Sequence, residues 1–300
     1  MPISRAQFSD IVNPALRAIF FQNLGEPREE YSKIFTVEKS KKKQEVISEV
    51  TGFSAAVEKA EGADILLDSP YQGYDYTFTH GTFGLGFVVT FEMMQDDQYN
   101  IIKRLPKALG RAMRETYETA AANVFNRAFN ASYTYGDGKP LCADDHPLEA
   151  GGTGSNLLST PADLSATSLK AALSQMRKMK GSRGEYLGLT PEVLLIPPDL
   201  EFDAYQILHS TQIAGSALND INPIRHLYNL KPVVMTRLTD SNAWFLAAKE
   251  REELIFFWRY RPDLKDDLHL SSRDVEYNSV MRFSVGSGGW RFIIGTPGAS

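Results

Sequence analysis

The sequence predicts an α+β fold in which one long helix runs beside aromatic-faced strands, and three observations carry the prediction. Ile102, Leu105, Leu109, Met113, Tyr117, Ala120, Val124 and Ala128 recur every three or four residues, which draws one apolar stripe along a helix of about 30 residues, about 96–130, and about 45 Å. Tyr74, Tyr76 and Phe78, then Phe83, Leu85, Phe87, Val89 and Phe91, alternate with small or polar residues, and Val275 to Val285 does so again near the end. That is the period of half-buried strands. Between about 160 and 270, short helical and strand patterns follow one another, as in an inserted α/β domain.

Composition bounds the rest. Three hundred residues with 43% hydrophobic and 23% charged content are ordinary for a globular chain, and a net charge of −5 argues against a generic nucleic-acid binder. No run approaches the roughly 18 apolar residues of a membrane span, and residues 1–8 lack the order of a signal peptide. A single cysteine, Cys142, excludes an intrachain disulfide and fits a reducing compartment.

Residues 1–30 read as an apolar arm. Phe8, Ile11, Val12, Ala15, Leu16, Ile19 and Phe20 have helical spacing, interrupted by Pro14 and closed by Gly25 to Pro27. Residues 31–70 predict a long two-stranded excursion with a lysine run from Lys39 to Lys43, and 40–59 contribute few core-forming side chains. A ribbon unable to stabilise itself lies on a partner, while the lysine run alone reads as a solvated face. The two aromatic runs at 74–78 and 83–91 predict an antiparallel pair joined near His80-Gly81. Gly84 and Gly86 leave room there for another backbone. On the long helix, Lys103, Arg104, Lys107, Arg111, Arg114, Glu115, Glu118 and Arg127 form the wet face, and Pro106 predicts a kink or a break.

Residues 133–161 are rich in Gly, Ser, Thr, Asp and Pro. Gly151-Gly152-Thr153-Gly154 is no phosphate loop, because no lysine follows it and no apolar strand precedes it. Cys142 and His146 raise a nucleophile–base or metal reading. Two ligands do not make a site, and Asp145 before His146-Pro147 is ordinary turn chemistry, so no catalytic, cofactor-binding or metal-binding residue is assigned. Beyond, Ser165 caps a helix with Leu169, Leu173, Met176 and Met179 on one face, ended by Gly181. Val193 to Ile196 is a buried strand, and Pro198 opens a second helix. Residues 211–223 form a loop. Three strands follow at 233–238, 243–248 and 254–258, the first two joined by a turn at Asp240-Ser241-Asn242. The closing strands, 275–285 and 290–294, share an aromatic face and predict one sheet with the pair before the long helix.

This order of elements resembles the major capsid proteins of tailed bacteriophages, and specifically the Mu-like major head subunit family. The local matches are Asp137-Gly138-Lys139-Pro140-Leu141 leading to Asp145-His146-Pro147, and Met281-Arg282-Phe283-Ser284-Val285-Gly286 followed by Trp290-Arg291-Phe292. The resemblance implies an N-terminal arm (1–30), an extended loop (31–72), a peripheral domain (73–159 and 271–300) with the spine helix, and an axial domain (160–270). It implies a non-enzymatic virion protein that assembles with itself through pentamers and hexamers into an icosahedral shell around double-stranded DNA, without cofactor, and builds that shell in the bacterial cytoplasm. A separate scaffolding or protease protein and a portal are the further partners it implies, and DNA is held non-specifically. Nothing around Lys39 to Lys43 matches a motif for isopeptide cross-linking. A compartment shell of the same fold around an enzyme cargo is the alternative, and a hydrolase centred on Cys142 and His146 is the foil.

Overall fold

The computed structural model describes residues 6–25, 29–62, 64–96, 101–148, 151–212, 221–250, 253–269 and 273–299, with the side chains of 6–13 and 101 outside that set. The expected arm contacts of Phe8, Ile11 and Val12, the arm's close at Pro27 and most of the predicted 211–223 loop therefore lie outside the described residues. Helix α1 (Ala6–Gly25) runs through Pro14 without a break. Its buried Leu16 and Phe20 join the main core, and a Cβ on Gly110 would stand 2.8 Å from the Phe20 carbonyl oxygen. Close helix–helix packing at that glycine offsets the bond that Pro14 forfeits.

The chain then departs from the expected two-stranded excursion. Strand β1 (Thr36–Lys39) pairs in parallel with a distant strand, and β2 (Gln44–Val50) pairs with β3 (Gln72–Thr79). Tyr31, Ile34 and Phe35 enter the main core, so the polar reading of this stretch fails at its start. Strand β4 (Gly81–Val89) does not pair with β3 but with the late strand β11 (Val275–Ser287). One residue, His80, separates β3 from β4, too few for the two-residue turn a hairpin needs. It makes a buried corner instead: its Nε2 lies 2.9 Å from Ser40 Oγ and its Nδ1 2.9 Å from Ser284 Oγ.

Helix α2 (Phe91–Asp96) precedes α3 (Ile101–Asn126), so the described spine is shorter than the sequence stripe. Pro106 sits in its second turn, buried, and the helix continues past it. Leu109, Met113, Tyr117 and Val124 are buried as the stripe predicts, but so are Arg114 and Glu118 from the supposed wet face. Tyr117 meets Tyr31 and Trp258 edge-on, both at 5.4 Å, and the Trp258 indole donates to the Tyr31 hydroxyl at 3.1 Å. Aromatic burial of this kind holds the spine on its sheet.

That sheet has the order β1-β10-β11-β4, where β10 (Leu254–Leu268) is a 15-residue strand. The sequence placed only 254–258 in a strand and counted it with the inserted region; the extension and the pairing with β11 move it to the spine sheet. A second sheet, β12-β9-β7-β8, is compact: β7 (Pro191–Ile196), β8 (Lys231–Val234), β9 (Trp244–Ala248) and β12 (Ile293–Thr296). The turn at 240–242 does not make a hairpin, because β8 and β9 lie on opposite sides of β7. The last strand likewise joins β9 and not the long sheet. Alternation marks which side chains share a face, but not which strand pairs with which, and on β4 the aromatic face at Phe83 and Leu85 stays exposed. Helix α4 (Ala166–Arg177) begins at Ser165, whose Oγ accepts from the Ser168 amide in a capping box, and packs on this sheet. A 3-10 turn at Pro198–Leu200 leads into α5 (Glu201–His209), and α6 (Pro223–Leu227), capped by Asn222, follows.

Candidate assembly surfaces

Cys142 and His146 are both buried, and they do not form a pair. The Cys142 thiol is pushed far above its ordinary range by burial, and a Cβ on Gly295 would lie 2.7 Å from its Sγ. His146 Nδ1 lies 2.6 Å from Asp137 Oδ2, its Nε2 3.2 Å from Asn156 Oδ1, and its ring stacks on Trp290 at 4.2 Å. Asn156 donates to the carbonyls of Leu141 and Trp290 and accepts from the Ala143 amide. Gly138, at φ +77°, turns the chain, while Lys139 pairs with Asp145. Asp137 to Pro147 is thus a clasp that ties the loop after α3 to the C-terminal strands, with the polar atoms of His146 taken up by Asp137 and Asn156. Among the described residues no cluster of three or more His, Cys, Asp or Glu could hold a metal ion.

The lysines of the run, Lys39 and Lys41 to Lys43, are exposed, and beside them Ser40 is tied down. Ser40 donates to Glu45 at 2.7 Å, Lys42 pairs with Glu45 at 3.0 Å, and His80 closes the chain of bonds from below. Burial, helped by Arg282, pulls the His80 imidazole below its ordinary range.

The joint between arm, spine and inserted region is ionic. Glu118 is fully buried and accepts the amides of Glu30 at 2.9 Å and Tyr31 at 3.1 Å. Burial pushes its carboxyl up, and those two amides pull it back. Glu30 in turn accepts from Thr236, while Arg237 grips Glu115 through Nε at 2.8 Å and Nη2 at 2.6 Å. The sequence hid this joint, since it reads Glu118 as one more surface charge; the clue was the run Ala120-Ala121-Ala122 beside it, which leaves space for another segment.

The described residues of 51–71 form no helix or strand, and the apolar side chains of Phe53, Val57, Ile65, Leu66 and Leu67 face outward, the last 90% exposed. The root of this loop is nonetheless anchored. Arg183 reaches Asp68 at 2.6 Å, Ser54 Oγ at 3.2 Å and the Ser69 carbonyl at 2.6 Å, and lies over the Tyr71 ring. The Ser54 amide and then Arg183 hold the Asp68 carboxyl at about 2. Glu49 on β2 takes Arg291 at 2.6 Å and Ser182 at 2.5 Å. Beside α3, a trough of about 1140 Å³ opens between the helix and strands β3, β4 and β11, with Tyr76, Phe78, Phe83, Tyr133 and Phe283 on its walls. The anchored, outward-facing apolar loop is a patch of the kind a monomer rarely leaves uncovered.

A family profile described as "Phage capsid protein" matches residues 74–291. No curated protein sequence matches the chain. The procapsid of bacteriophage JBD30 is similar in structure over 98% of this chain and 76% of that chain, with a TM-score of 0.55 and 15% identity. The virus-like particle from Pyrococcus furiosus is similar over 94% of this chain and 98% of that chain, with a TM-score of 0.58 and 10% identity. The capsid of an empty GTA particle covers 91% and 90%, with a TM-score of 0.55 and 11% identity. At such identities the likeness is one of fold.

Proposed function

Because this chain belongs to the phage capsid protein family, we propose that it is a Mu-like major head subunit that assembles through five- and six-membered rings into an icosahedral shell around double-stranded DNA. The observation that carries the reading is the loop at 51–71, anchored at its root, whose apolar side chains Phe53, Val57, Ile65, Leu66 and Leu67 are left 63–90% exposed by the described residues. Contacts between unlike surfaces close into rings, and obligate interfaces of this kind bury about 2,000–5,000 Å².

The subunit divides in this reading into arm (1–30), extended loop (31–72), peripheral domain (73–159 and 271–300) and axial domain (160–270). Strands β1 and β10 cross those limits by joining the peripheral sheet. Its role is geometric and not enzymatic, which the burial of Cys142 and the clasp around His146 support. Assembly takes place in the host cytoplasm with a separate scaffolding or protease protein and a portal. Packaged DNA is held weakly and without sequence preference, because affinity for phosphate grows with the Lys and Arg groups that neutralise it and this chain carries net charge −5. None of the described helices is long and apolar enough to cross a membrane. The compartment-shell alternative draws on no separate observation, since likeness to the Pyrococcus furiosus particle is one of fold.

Negative-stain microscopy and sedimentation of the purified protein test the proposal. Closed shells, rings or tubes are the expected result; a small monomer at all concentrations, or one that turns over a substrate, contradicts it.

A further inference from the structure

The basic side chains of this acidic chain are not evenly spread. Residues 102–114 carry five of its 32 lysines and arginines and none of its 37 aspartates and glutamates. Four of the five, Lys103, Arg104, Lys107 and Arg111, are exposed on α3. Lys103, Lys107 and Arg111 recur every fourth residue and so stand one above another on the helix, with Arg104 beside them. None of the four enters an ion pair among the described residues. The next carboxylates along α3 are already engaged, Glu115 by Arg237 and Glu118 by the amides of Glu30 and Tyr31. Arg114, in line with the ridge, is buried with its Nε unpaired among the described residues, which adds positive charge beneath it.

What the ridge lacks narrows its partner. A protein that docks on a helix needs apolar anchors, and residues 102–126 expose no large apolar side chain. The trough opens on another side of α3, where Ala112, Thr116, Thr119 and Asn123 line it. At 3.6 residues per turn those positions lie roughly 135° round the helix from the ridge. The ridge is therefore turned away from the trough and from β3, the strand to which the apolar loop returns. Cations without anchors fit a polyanion held by charge alone. A DNA duplex presents about one phosphate charge per 1.7 Å of its axis, so a ridge of about 12 Å meets phosphate in every register and reads no base.

We propose that Lys103, Arg104, Lys107 and Arg111 form the surface of this subunit that holds double-stranded DNA, through its phosphates and without sequence preference. The inference rests on the reading of the chain as a shell around DNA and names the face within it that meets the DNA. It also reconciles a net charge of −5 with DNA contact, because the contact is confined to one side of one helix.

The test uses the full-length chain, a fluorescent 20-base-pair duplex and anisotropy over a range of salt. Four phosphate contacts make log K fall by about 3.6 for each tenfold rise in salt, a loss of about 150-fold between 50 and 200 mM. A variant with Lys103→Gln, Arg104→Gln, Lys107→Gln and Arg111→Gln should bind at least tenfold more weakly at 50 mM and lose most of that slope, with an unchanged circular dichroism spectrum and normal particles. Should the fourfold variant lose helicity, the four single variants carry the test, each lowering the slope by about 0.9. Neutralising Lys39, Lys41 and Lys43 in the same way should leave the slope as it is. An unchanged slope in the ridge variants, or an equal loss in the Lys39 to Lys43 variant, overturns the assignment. Displacement of the duplex by poly-glutamate at equal charge overturns it in favour of an acidic protein partner. Ridge variants that bind DNA normally but no longer form particles overturn it in favour of a contact between subunits. A wild-type chain that never forms particles removes the assembly reading instead, and a ridge-dependent slope measured on the subunit stands apart from that outcome.

Discussion

Strand β9 and the loop at 51–71 are both apolar, yet the chain treats them in opposite ways. All five residues of β9, Trp244 to Ala248, are buried between β7, β12 and the helices that cover them. In the loop, Phe53, Val57, Ile65, Leu66 and Leu67 are mostly exposed. One region is completed by its own fold; the other is left open by it. Burial per residue, more than hydrophobicity, therefore separates what stabilises this subunit from what joins subunits together.

The largest effect that sharpens this contrast comes from replacing residues 53–67 with a short Gly/Ser turn. The fold should change little, since halving a flexible connection alters its closure cost by about 0.6 kcal/mol. Assembly should be lost, because removing roughly 500 Å² of apolar contact at about 25 cal/mol per Å² takes away on the order of 12 kcal/mol before entropic offsets. Sedimentation velocity beside circular dichroism reads both halves. Next in size, Trp244→Ala should destabilise the subunit by about 3–5 kcal/mol in urea titrations, whereas Leu67→Ala should stay within about 0.5 kcal/mol. Equal losses at the two positions would erase the distinction.

Smaller effects probe the ionic joint. Glu118→Ala leaves the amides of Glu30 and Tyr31 without their acceptor, a cost of about 1–3 kcal/mol for each buried group. Glu118→Gln keeps one acceptor but turns its NH2 toward the other amide, so it should recover only part of the loss in thermal melts. The smallest effect is a pH dependence at His80. Its folded imidazole is held below the ordinary value of 6.5, so the unfolded chain binds the proton more readily and stability rises with pH. The contribution is present above about 6.5 and is lost as pH falls below it. His80→Gln should flatten the stability profile between about pH 7 and 5; an unchanged slope would assign the dependence elsewhere.

Much of this was legible in the sequence wherever one period or one cap decides the outcome. The stripe from Leu109 to Val124, the Ser165 cap and the buried strand at 193–196 all follow from local spacing. Partner choice was not legible. Alternation at 74–78 and 83–89 reports which side chains share a face, but β3 went to β2 and β4 to β11, and the single residue between them was the one available warning. Arg114 and Glu118 looked wet because the amides that satisfy Glu118 come from 87 and 88 residues away in the chain. The loop was legible as a stretch unable to hold itself up, whereas its anchor at Arg183 was not, being 115 residues from Asp68.

Amide hydrogen exchange on assembled particles and on dissociated subunits tests the central claim most directly. Residues 191–196 and 244–248 should be equally protected in both, since their bonds lie within one chain. Residues 53–67 should exchange fast in the subunit and become protected at least tenfold in the particle. Loop amides that exchange equally fast in both states would contradict the account, because nothing would then complete the loop on assembly.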